Sequence, residues 1–145
     1  MNAVHATSKR SWVRTMLETP ASPPSALSRY IFWNGVLYLV AGVALYAVPD
    51  RLAIGPFAGR EEGYLRALGI VAAAVGWLYM FGARTRSNSF ALATIADRLA
   101  VPVLVLPLYL TGQVGAVLAF AFALGDPLLA LGAYVIWRRY DSANQ

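Results

Sequence analysis

The chain has 145 residues, of which 59% are hydrophobic and 13% are charged, and its formal net charge is +5. A soluble domain of this length exposes far more charged side chains, so the composition predicts an integral membrane protein. Cysteine is absent, and the single histidine and single lysine, His5 and Lys9, precede the first apolar segment. Disulfides, thiolate metal sites, haem ligation by histidine and a buried lysine Schiff base are therefore excluded, and we expect no cofactor and no metal.

The N-terminal segment, residues 1–26, is predicted to be a cytoplasmic tail. It contains no long apolar run, so we expect no cleaved signal peptide. Within it, Ser11–Leu17 is mildly amphipathic and is predicted to lie on the membrane surface. The basic residues of the chain flank apolar segments and form no single patch, which favours the lipid bilayer over nucleic acid as their partner.

Four apolar segments follow, each close to the roughly 20 residues that cross a bilayer core. They predict an all-α protein, an integral membrane four-transmembrane-helix bundle over residues 27–139 with a short tail at 140–145. The predicted spans are Tyr30–Val48, Tyr64–Phe81, Phe90–Leu110 and Val114–Trp137. Only Thr111–Gln113 separates the last two spans, so they must be antiparallel neighbours.

The distribution of basic residues predicts the orientation of the bundle. The N-terminal tail, the second connection and the C-terminus together hold eight Lys and Arg residues, and the opposite side holds three. Both termini are therefore predicted to lie in the cytoplasm. The Ala- and Arg-rich, Lys-poor usage indicates a bacterial cytoplasmic membrane as the location of this multi-pass protein.

Small residues predict how the spans pack. Gly35 and Gly42 lie one heptad apart in the first span, and Gly69, Ala73 and Gly76 form a face of the second. Such faces let helix backbones meet where lipid supplies no hydrophobic driving force. Aromatic residues towards the predicted cytoplasmic ends are interpreted as an interfacial belt or as packing residues, namely Trp33, Trp77, Tyr79, Tyr134 and Trp137.

Charged residues inside the third and fourth spans are the main functional candidates, because ionisable groups at bilayer depth rarely persist without a partner or a purpose. With a helical rise of about 1.5 Å per residue, Asp97 and Arg98 lie about 12–13 Å from the cytoplasmic side and Asp126 about 18 Å. On the same scale Asn34 of the first span lies about 7–8 Å deep. We therefore expect one cytoplasm-facing polar pocket built from the first, third and fourth helices.

Two prolines lie close to these charged residues. Pro102 cannot donate a hydrogen bond to the carbonyl of Arg98, and Pro127 cannot donate one to the carbonyl of Ala123. Inside a bilayer such acceptors must be satisfied by protein groups or by water in a cavity. The prolines therefore support a polar pocket beside probable kinks in both helices.

The charged residues permit two interpretations. In the structural one, Arg98 pairs with Asp126 and fixes the register of two helices, while Asp97 is capped by Asn34 or by hydroxyl groups. In the catalytic one, Asp97, Arg98 and Asp126 form an acid–base set. Asp97 and Arg98 lie about 100° apart on their helix and are expected to reach different neighbours. Substrate contacts are predicted for Asn34, Tyr38, Thr94 and Trp77, and Thr94 is expected to orient Arg98.

A second polar group, Glu61, Glu62 and Arg66, lies at the predicted outer end. Glu62 and Arg66 are four residues apart, which is the spacing of a favourable ion pair on a helix. We interpret them as an interfacial salt bridge. A gate at the mouth of an outer cavity is the alternative.

The stretch GWLYMFGARTRSNSFALATIADRLAVPVL, Gly76–Leu104, resembles the DoxX-like small membrane proteins. The matching features are an aromatic run with a small-Ala-Arg turn, Leu78–Arg84, and a basic residue in the third helix, Arg98. The likeness extends loosely over Tyr30–Arg139 by helix count and loop lengths. It implies a four-helix bundle and, because some members are associated with oxidoreductase complexes, an accessory subunit. The two intramembrane aspartates have no place in that pattern.

Together, these patterns predict a membrane protein whose polar pocket binds or acts on a lipophilic small molecule. The reaction would be cofactor-independent acid–base chemistry, as in an isomerase, an epoxide hydrolase or a cyclase. The alternative is a non-catalytic accessory subunit or assembly factor of a larger membrane complex. A small proton-coupled carrier, which would need to form a homo-oligomer to build a path, is the third hypothesis.

Overall fold

The computed structural model describes residues 23–49 and 60–141. Within these residues α1 spans Ala26–Ala47, α2 Arg60–Arg84, α3 Asn88–Leu110 and α4 Ala116–Ile136, and a π-helical turn, Trp137–Asp141, follows α4. Each of the four helices is long and apolar enough to cross a membrane, which confirms the prediction of four such helices. The predicted amphipathic segment Ser11–Leu17 lies outside the described residues.

Serine residues begin two of the helices. The Oγ of Ser25 accepts a hydrogen bond from the backbone N–H of Ser28 at 3.0 Å at the start of α1. The Oγ of Ser87 accepts one from the backbone N–H of Phe90 at 3.3 Å at the start of α3. Each serine thereby satisfies a donor that the first turn of a helix leaves without an internal partner.

The closest helix pairs are the two that follow each other along the chain, α1 with α2 and α3 with α4. Backbone contact explains the first pair. A Cβ atom on Gly42 would lie 2.5 Å from the carbonyl oxygen of Gly69, and a Cβ on Gly35 would lie 2.7 Å from that of Gly76. Since only glycine fits at these distances, the structure confirms the predicted small-residue faces.

A short turn connects α3 to α4, as the sequence predicts. Gly112 has a positive φ of 70°, which a residue without Cβ adopts at no steric cost. The backbone N–H of Gly112 donates to the carbonyl of Tyr109 at 3.0 Å, and that of Gln113 to Leu108 at 2.9 Å. The two helices are therefore antiparallel neighbours.

The main hydrophobic core lies at one end of the bundle. It joins the start of α1, the end of α2, the start of α3 and the end of α4, which we call the terminal end. Its buried members are Leu27, Ile31, Tyr79, Ala83, Ala91, Ile95, Ala130 and Ala133. At this end Tyr30 of α1 also donates a hydrogen bond to the carbonyl of Leu129 in α4, at 3.2 Å. The opposite end, which carries the α3–α4 turn, is called the loop end.

The prolines lie within continuous helices. Helix α3 runs through Pro102 and Pro107, and α4 runs through Pro127. Because proline has no N–H, the carbonyls of Arg98 and Ala123 receive no helical hydrogen bond from the residues four positions later. Both helices therefore continue past their prolines, and each carries a carbonyl without its helical hydrogen bond close to one of the charged residues.

Candidate functional site

Arg98 lies between two aromatic rings. Only 2% of its surface is exposed, and its guanidinium carbon lies 5.2 Å from the ring centroid of Tyr38 in α1 and 4.9 Å from that of Tyr79 in α2. A guanidinium at these distances is attracted to the ring faces, and the attraction grows when water is excluded. The rings thus provide a substitute for hydration of the buried cation.

The structure does not contain the ion pair between Arg98 and Asp126 that the structural interpretation of the charged residues requires. Among the described residues, none of the three guanidinium nitrogens of Arg98 has a hydrogen-bond partner, and neither has Oδ1 of Asp126. The physical reason is the direction of the arginine, which extends towards the rings on α1 and α2 instead of towards α4. The two buried charges therefore belong to different surroundings.

Asp97 accepts a hydrogen bond from the hydroxyl group of Tyr79, with 2.6 Å between Oη and Oδ2. Asp97 as a residue is exposed on the surface of α3. Its partner is thus a hydroxyl group and not Asn34, and it differs from the partners of Arg98. The expectation that Asp97 and Arg98 reach different neighbours is confirmed.

Tyr79 is a packing residue, which is one of the two interpretations of the aromatic residues, but its contacts with Asp97 and Arg98 are not predicted from the sequence. It is 6% exposed, and its ring centroid lies 5.8 Å from that of Tyr38. The signal that identifies it was present in the sequence, because Gly69, Gly76, Tyr79 and Ala83 follow at spacings of a single helix face. A tyrosine on the face that meets α1 must be buried between helices.

Asp126 lies on the wall of a cavity of about 420 Å³ formed by α1, α2 and α4. It is 3% exposed, and Oδ1 has no hydrogen-bond partner among the described residues. Tyr38 is a second polar residue on the wall. Most of the remaining lining is apolar and includes Leu37, Ala41, Leu45, Ala72, Phe122 and Leu129.

The position of this cavity corrects the predicted pocket in two respects. Helix α3 does not contribute to it, and α2 does, through Ala72. The cavity extends from Asp126 towards Leu45 and Val117, which is away from the terminal end and therefore not towards the predicted cytoplasmic side. The prediction used only the depth of each residue along its helix, and depth carries no information on the direction in which a side chain points.

Three other predicted contact residues lie outside the cavity wall. Asn34 is buried on α1, and its Nδ2 has no hydrogen-bond partner among the described residues. Thr94 is also buried, but its hydroxyl donates to the carbonyl of Ala91 at 2.8 Å, so it does not orient Arg98. Trp77 is 50% exposed, and its ring lies 4.4 Å from that of Phe81 on the outside of the bundle.

Tyr38 connects the cavity to the charges on α3. One part of the side chain lines the cavity, and the ring lies against Arg98. We call Tyr38, Tyr79, Asp97 and Arg98 the tyrosine–arginine cluster. The cluster and the Asp126 cavity are therefore neighbours that share one side chain, instead of a single pocket.

At the loop end, the predicted interfacial ion pair is confirmed. Nε of Arg66 lies 2.9 Å from Oε1 of Glu62. Nη1 of the same arginine also donates to the backbone carbonyl of Tyr46 near the end of α1, at 2.5 Å. Arg66 thus satisfies one of the carbonyls that a helix end leaves unpaired, and it joins α2 to α1.

Between residues 23–49 and 60–141, no group of three or more His, Asp or Glu side chains is arranged to hold a metal ion. What the Asp126 cavity can supply is a carboxyl group and a phenol at the edge of an apolar space. Those groups hydrogen-bond and transfer protons.

Comparisons with protein-family models, with curated proteins and with solved structures find no match for this chain. The resemblance to the DoxX-like proteins therefore stays a prediction. The geometry of the Asp126 cavity and of the tyrosine–arginine cluster is therefore the basis of the proposed function.

Proposed function

We propose that this protein binds a lipophilic small molecule in the Asp126 cavity. The observation that carries the proposal is that Asp126 lines a largely apolar space while its buried Oδ1 has no hydrogen-bond partner among the described residues. Buried polar atoms nearly always have partners, and leaving one unpaired costs about 1–3 kcal/mol. A ligand with a hydroxyl, amine or similar donor would supply the missing hydrogen bond.

The size and position of the cavity agree with such a ligand. Its volume of about 420 Å³ lies within the range of about 300–1,000 Å³ that is typical of small-molecule sites. Leu37 and Val117 on its wall are exposed on the outside of the bundle, where lipid would surround the helices. The ligand would therefore enter sideways from the bilayer, which suits a molecule that dissolves in lipid.

The membrane setting is part of the proposal. We infer a bacterial cytoplasmic membrane from the Ala- and Arg-rich, Lys-poor usage of the chain. We place both termini in the cytoplasm because eight of the Lys and Arg residues lie on that side and three on the other. In this orientation the Asp126 cavity lies in the outer half of the bundle. The tyrosine–arginine cluster lies closer to the cytoplasm.

Acid–base chemistry on the bound molecule is the enzymatic form of the proposal. Asp126 would donate a proton to one atom of the substrate or accept one from it, and Tyr38 is the second polar group within the cavity. An isomerase or cyclase returns as many protons as it takes, whereas an epoxide hydrolase also consumes one water. Arg98 would act only as a positioning residue, by holding the ring of Tyr38.

Native mass spectrometry of the protein in mild detergent tests the proposal. The wild-type protein should carry a lipid-soluble molecule, and Asp126→Asn should reduce its occupancy at least tenfold. Asp97→Asn is the matched control, because it makes the same change at an intramembrane aspartate outside the cavity. Gly125→Leu should also displace the molecule, since a Cβ on Gly125 meets open space beside Asp126.

Two results would contradict this assignment. One is a wild-type protein that carries no small molecule when extracted from its own membrane. The other is full occupancy in both the Asp126→Asn and Gly125→Leu variants, with circular dichroism showing that they are folded. Equal losses in Asp97→Asn and Asp126→Asn would likewise point to a general structural effect.

A second candidate function, an accessory subunit of a membrane complex, is favoured by the exposure of Asp97. Its carboxylate lies about 14 Å from the start of α3, in a surface that also exposes Ala93, Ala96 and Ala100. Small residues allow close helix approach, and a carboxylate at this depth can accept further hydrogen bonds besides the one from Tyr79. A partner helix that carries an amide, hydroxyl or basic side chain would meet both conditions.

Single-cysteine crosslinking tests this alternative, since the natural chain contains no cysteine. Ala96→Cys should crosslink to a partner helix in native membranes, whereas Val40→Cys, on an exposed part of α1, should not. Adding Asp97→Ala should lower the yield. Equal crosslinking at both positions, or none at Ala96→Cys, would exclude a specific partner on this face of α3.

A further inference from the structure

A second cavity, of about 390 Å³, lies at the terminal end between α1 and the α2–α3 turn. Arginines from three places in the chain line it, and none of the described residues on its wall is acidic. They are Arg29 in the first turn of α1, Arg84 at the end of α2, and Arg86 in the turn that follows. We call this space the arginine cavity.

The backbone holds these arginines in place. Arg86 has a positive φ of 56°, a conformation that is uncommon for residues other than glycine. Its backbone N–H donates to the carbonyl of Ala83 at 3.3 Å, and the hydroxyl of Thr85 donates to the carbonyl of Gly82 at 2.7 Å. The turn is therefore defined by its own hydrogen bonds, and it places Arg86 on the wall of a cavity that Arg29 and Arg84 also line.

Aromatic side chains form the other side of the arginine cavity. Phe32 and Trp33 line it, with ring centroids 5.9 Å apart in an edge-to-face arrangement. Trp33 is 67% exposed. Tryptophan prefers the level of lipid headgroups, where one part of the ring is in an apolar setting and the N–H is hydrated. The cavity thus combines a cationic side with an aromatic side that continues onto the lipid-facing surface.

We propose that the arginine cavity binds the phosphate group of an anionic phospholipid. Guanidinium groups form paired, charge-assisted hydrogen bonds with phosphate oxygens, and three arginines line this one cavity. The acyl chains would lie along Trp33 and the outer surface of α1. Basic residues also mark this end as the cytoplasmic one, and the cytoplasmic leaflet carries anionic lipid. This site is separate from the Asp126 cavity and does not depend on it.

Native mass spectrometry of the full chain with added lipid tests the proposal. Phosphatidylglycerol and phosphatidylcholine of the same acyl length are titrated against delipidated protein. We expect at least tenfold tighter binding of the first phosphatidylglycerol. The combined variant Arg29→Gln, Arg84→Gln and Arg86→Gln should lose that preference. The single variant Arg86→Gln, which removes only one cation, should weaken it at least threefold and keeps the test valid if the triple variant does not fold.

The matched control is the double variant Arg138→Gln and Arg139→Gln. These arginines lie at the same end of the bundle but do not line the arginine cavity. The preference for phosphatidylglycerol should survive in this variant. Equal losses in the control and in the cavity variants would show only general attraction to basic residues and would overturn the proposal. Equal binding of the two lipids by the wild-type protein would also overturn it.

Competition with inorganic phosphate shows whether the arginine cavity binds the phosphate of a lipid headgroup or that of a soluble compound. If the site is built for a lipid headgroup, millimolar phosphate should leave the bound phosphatidylglycerol in place, because the acyl chains and Trp33 add to the contact. Displacement of the lipid by inorganic phosphate would assign the cavity to a soluble phosphate compound. That outcome would overturn the lipid assignment.

Discussion

Helix α1 meets α2 and α4 in two different ways. On the α2 side, glycines bring the backbones into contact, so that a Cβ on Gly69 would lie 2.6 Å from the carbonyl oxygen of Gly42. On the α4 side, Leu37 and Tyr38 of α1 border a space instead of a backbone contact. The Asp126 cavity fills this space.

This difference shows how a small membrane protein can combine a firm scaffold with a binding space. Lipid offers no hydrophobic driving force for helix association, so the α1–α2 pair relies on close packing. The α1–α4 pair is joined at the terminal end, where Tyr30 donates to the carbonyl of Leu129 at 3.2 Å. Further along, it opens beside Asp126. One helix therefore carries both the rigid contact and the cavity wall.

The largest difference in stability is expected when the same glycine-to-alanine substitution is made at the α1–α2 contact and at the Asp126 cavity. In Gly76→Ala the new Cβ would lie 2.6 Å from the carbonyl oxygen of Gly35 and closer still to the backbone nitrogen of Leu39. We expect this overpacking to lower the free energy of unfolding by about 3 kcal/mol. Unfolding titrations in mixed detergent and dodecyl sulfate measure the change.

Gly125→Ala is the matched substitution on the cavity side. A Cβ on Gly125 meets no atom within 4 Å, and alanine favours a helix over glycine by about 1 kcal/mol. We therefore expect a stability equal to that of the wild-type protein or slightly higher. If Gly76→Ala and Gly125→Ala behave alike, the two sides of α1 do not differ as the structure indicates.

A smaller change in stability is expected when the two tyrosines beside Arg98, Tyr38 and Tyr79, are each replaced by phenylalanine. Tyr79→Phe removes the donor to Asp97 while keeping the ring against the guanidinium, and we expect a loss of about 1–2 kcal/mol in stability. Among the described residues the hydroxyl of Tyr38 has no hydrogen-bond partner, so Tyr38→Phe should change stability by less than half of that. Thermal unfolding followed by tryptophan fluorescence compares the pair. Equal losses would mean that the Tyr79–Asp97 hydrogen bond adds nothing.

The smallest effect is expected at the loop end. Glu62→Gln removes the ion pair with Arg66, whose side chains are about one-third exposed. An exposed pair of this spacing contributes about 0.3–0.5 kcal/mol, and salt screens it. The loss should disappear in 1 M salt, about the concentration at which screening extends over only a few ångströms. A loss that persists at high salt would indicate a larger role for Glu62 in joining α2 to α1.

The sequence predicted the features that depend on the spacing of residues close together in the chain. Apolar runs predict the four helices, and glycine spacing predicts the α1–α2 contact. The four-residue separation of Glu62 and Arg66 predicts their ion pair. The start of α2 was placed too late, at Tyr64 instead of Arg60, because charged residues look like a loop although they suit the first turn of a helix at the membrane surface.

The sequence predicted which charged residues belong to the candidate site, but it did not predict which neighbours they contact. Asp97, Arg98 and Asp126 stand out as intramembrane charges in any reading of the sequence. Which neighbour each one reaches depends on how the helices are rotated, and that follows from packing across the whole bundle. Tyr79 illustrates the limit, since its ring and its hydroxyl serve two different charges on α3.

The pairing of helices that are consecutive in the chain has a consequence for biosynthesis. The α1–α2 contact requires nothing that is made later, and α3 and α4 are joined by a turn that leaves them side by side. The bundle can therefore enter the membrane as two hairpins in order of synthesis. The contacts of Tyr30 with Leu129 and of Arg98 with the two tyrosine rings join the hairpins, so they form last. The Asp126 cavity comes into being only at that final step, because its walls belong to both hairpins.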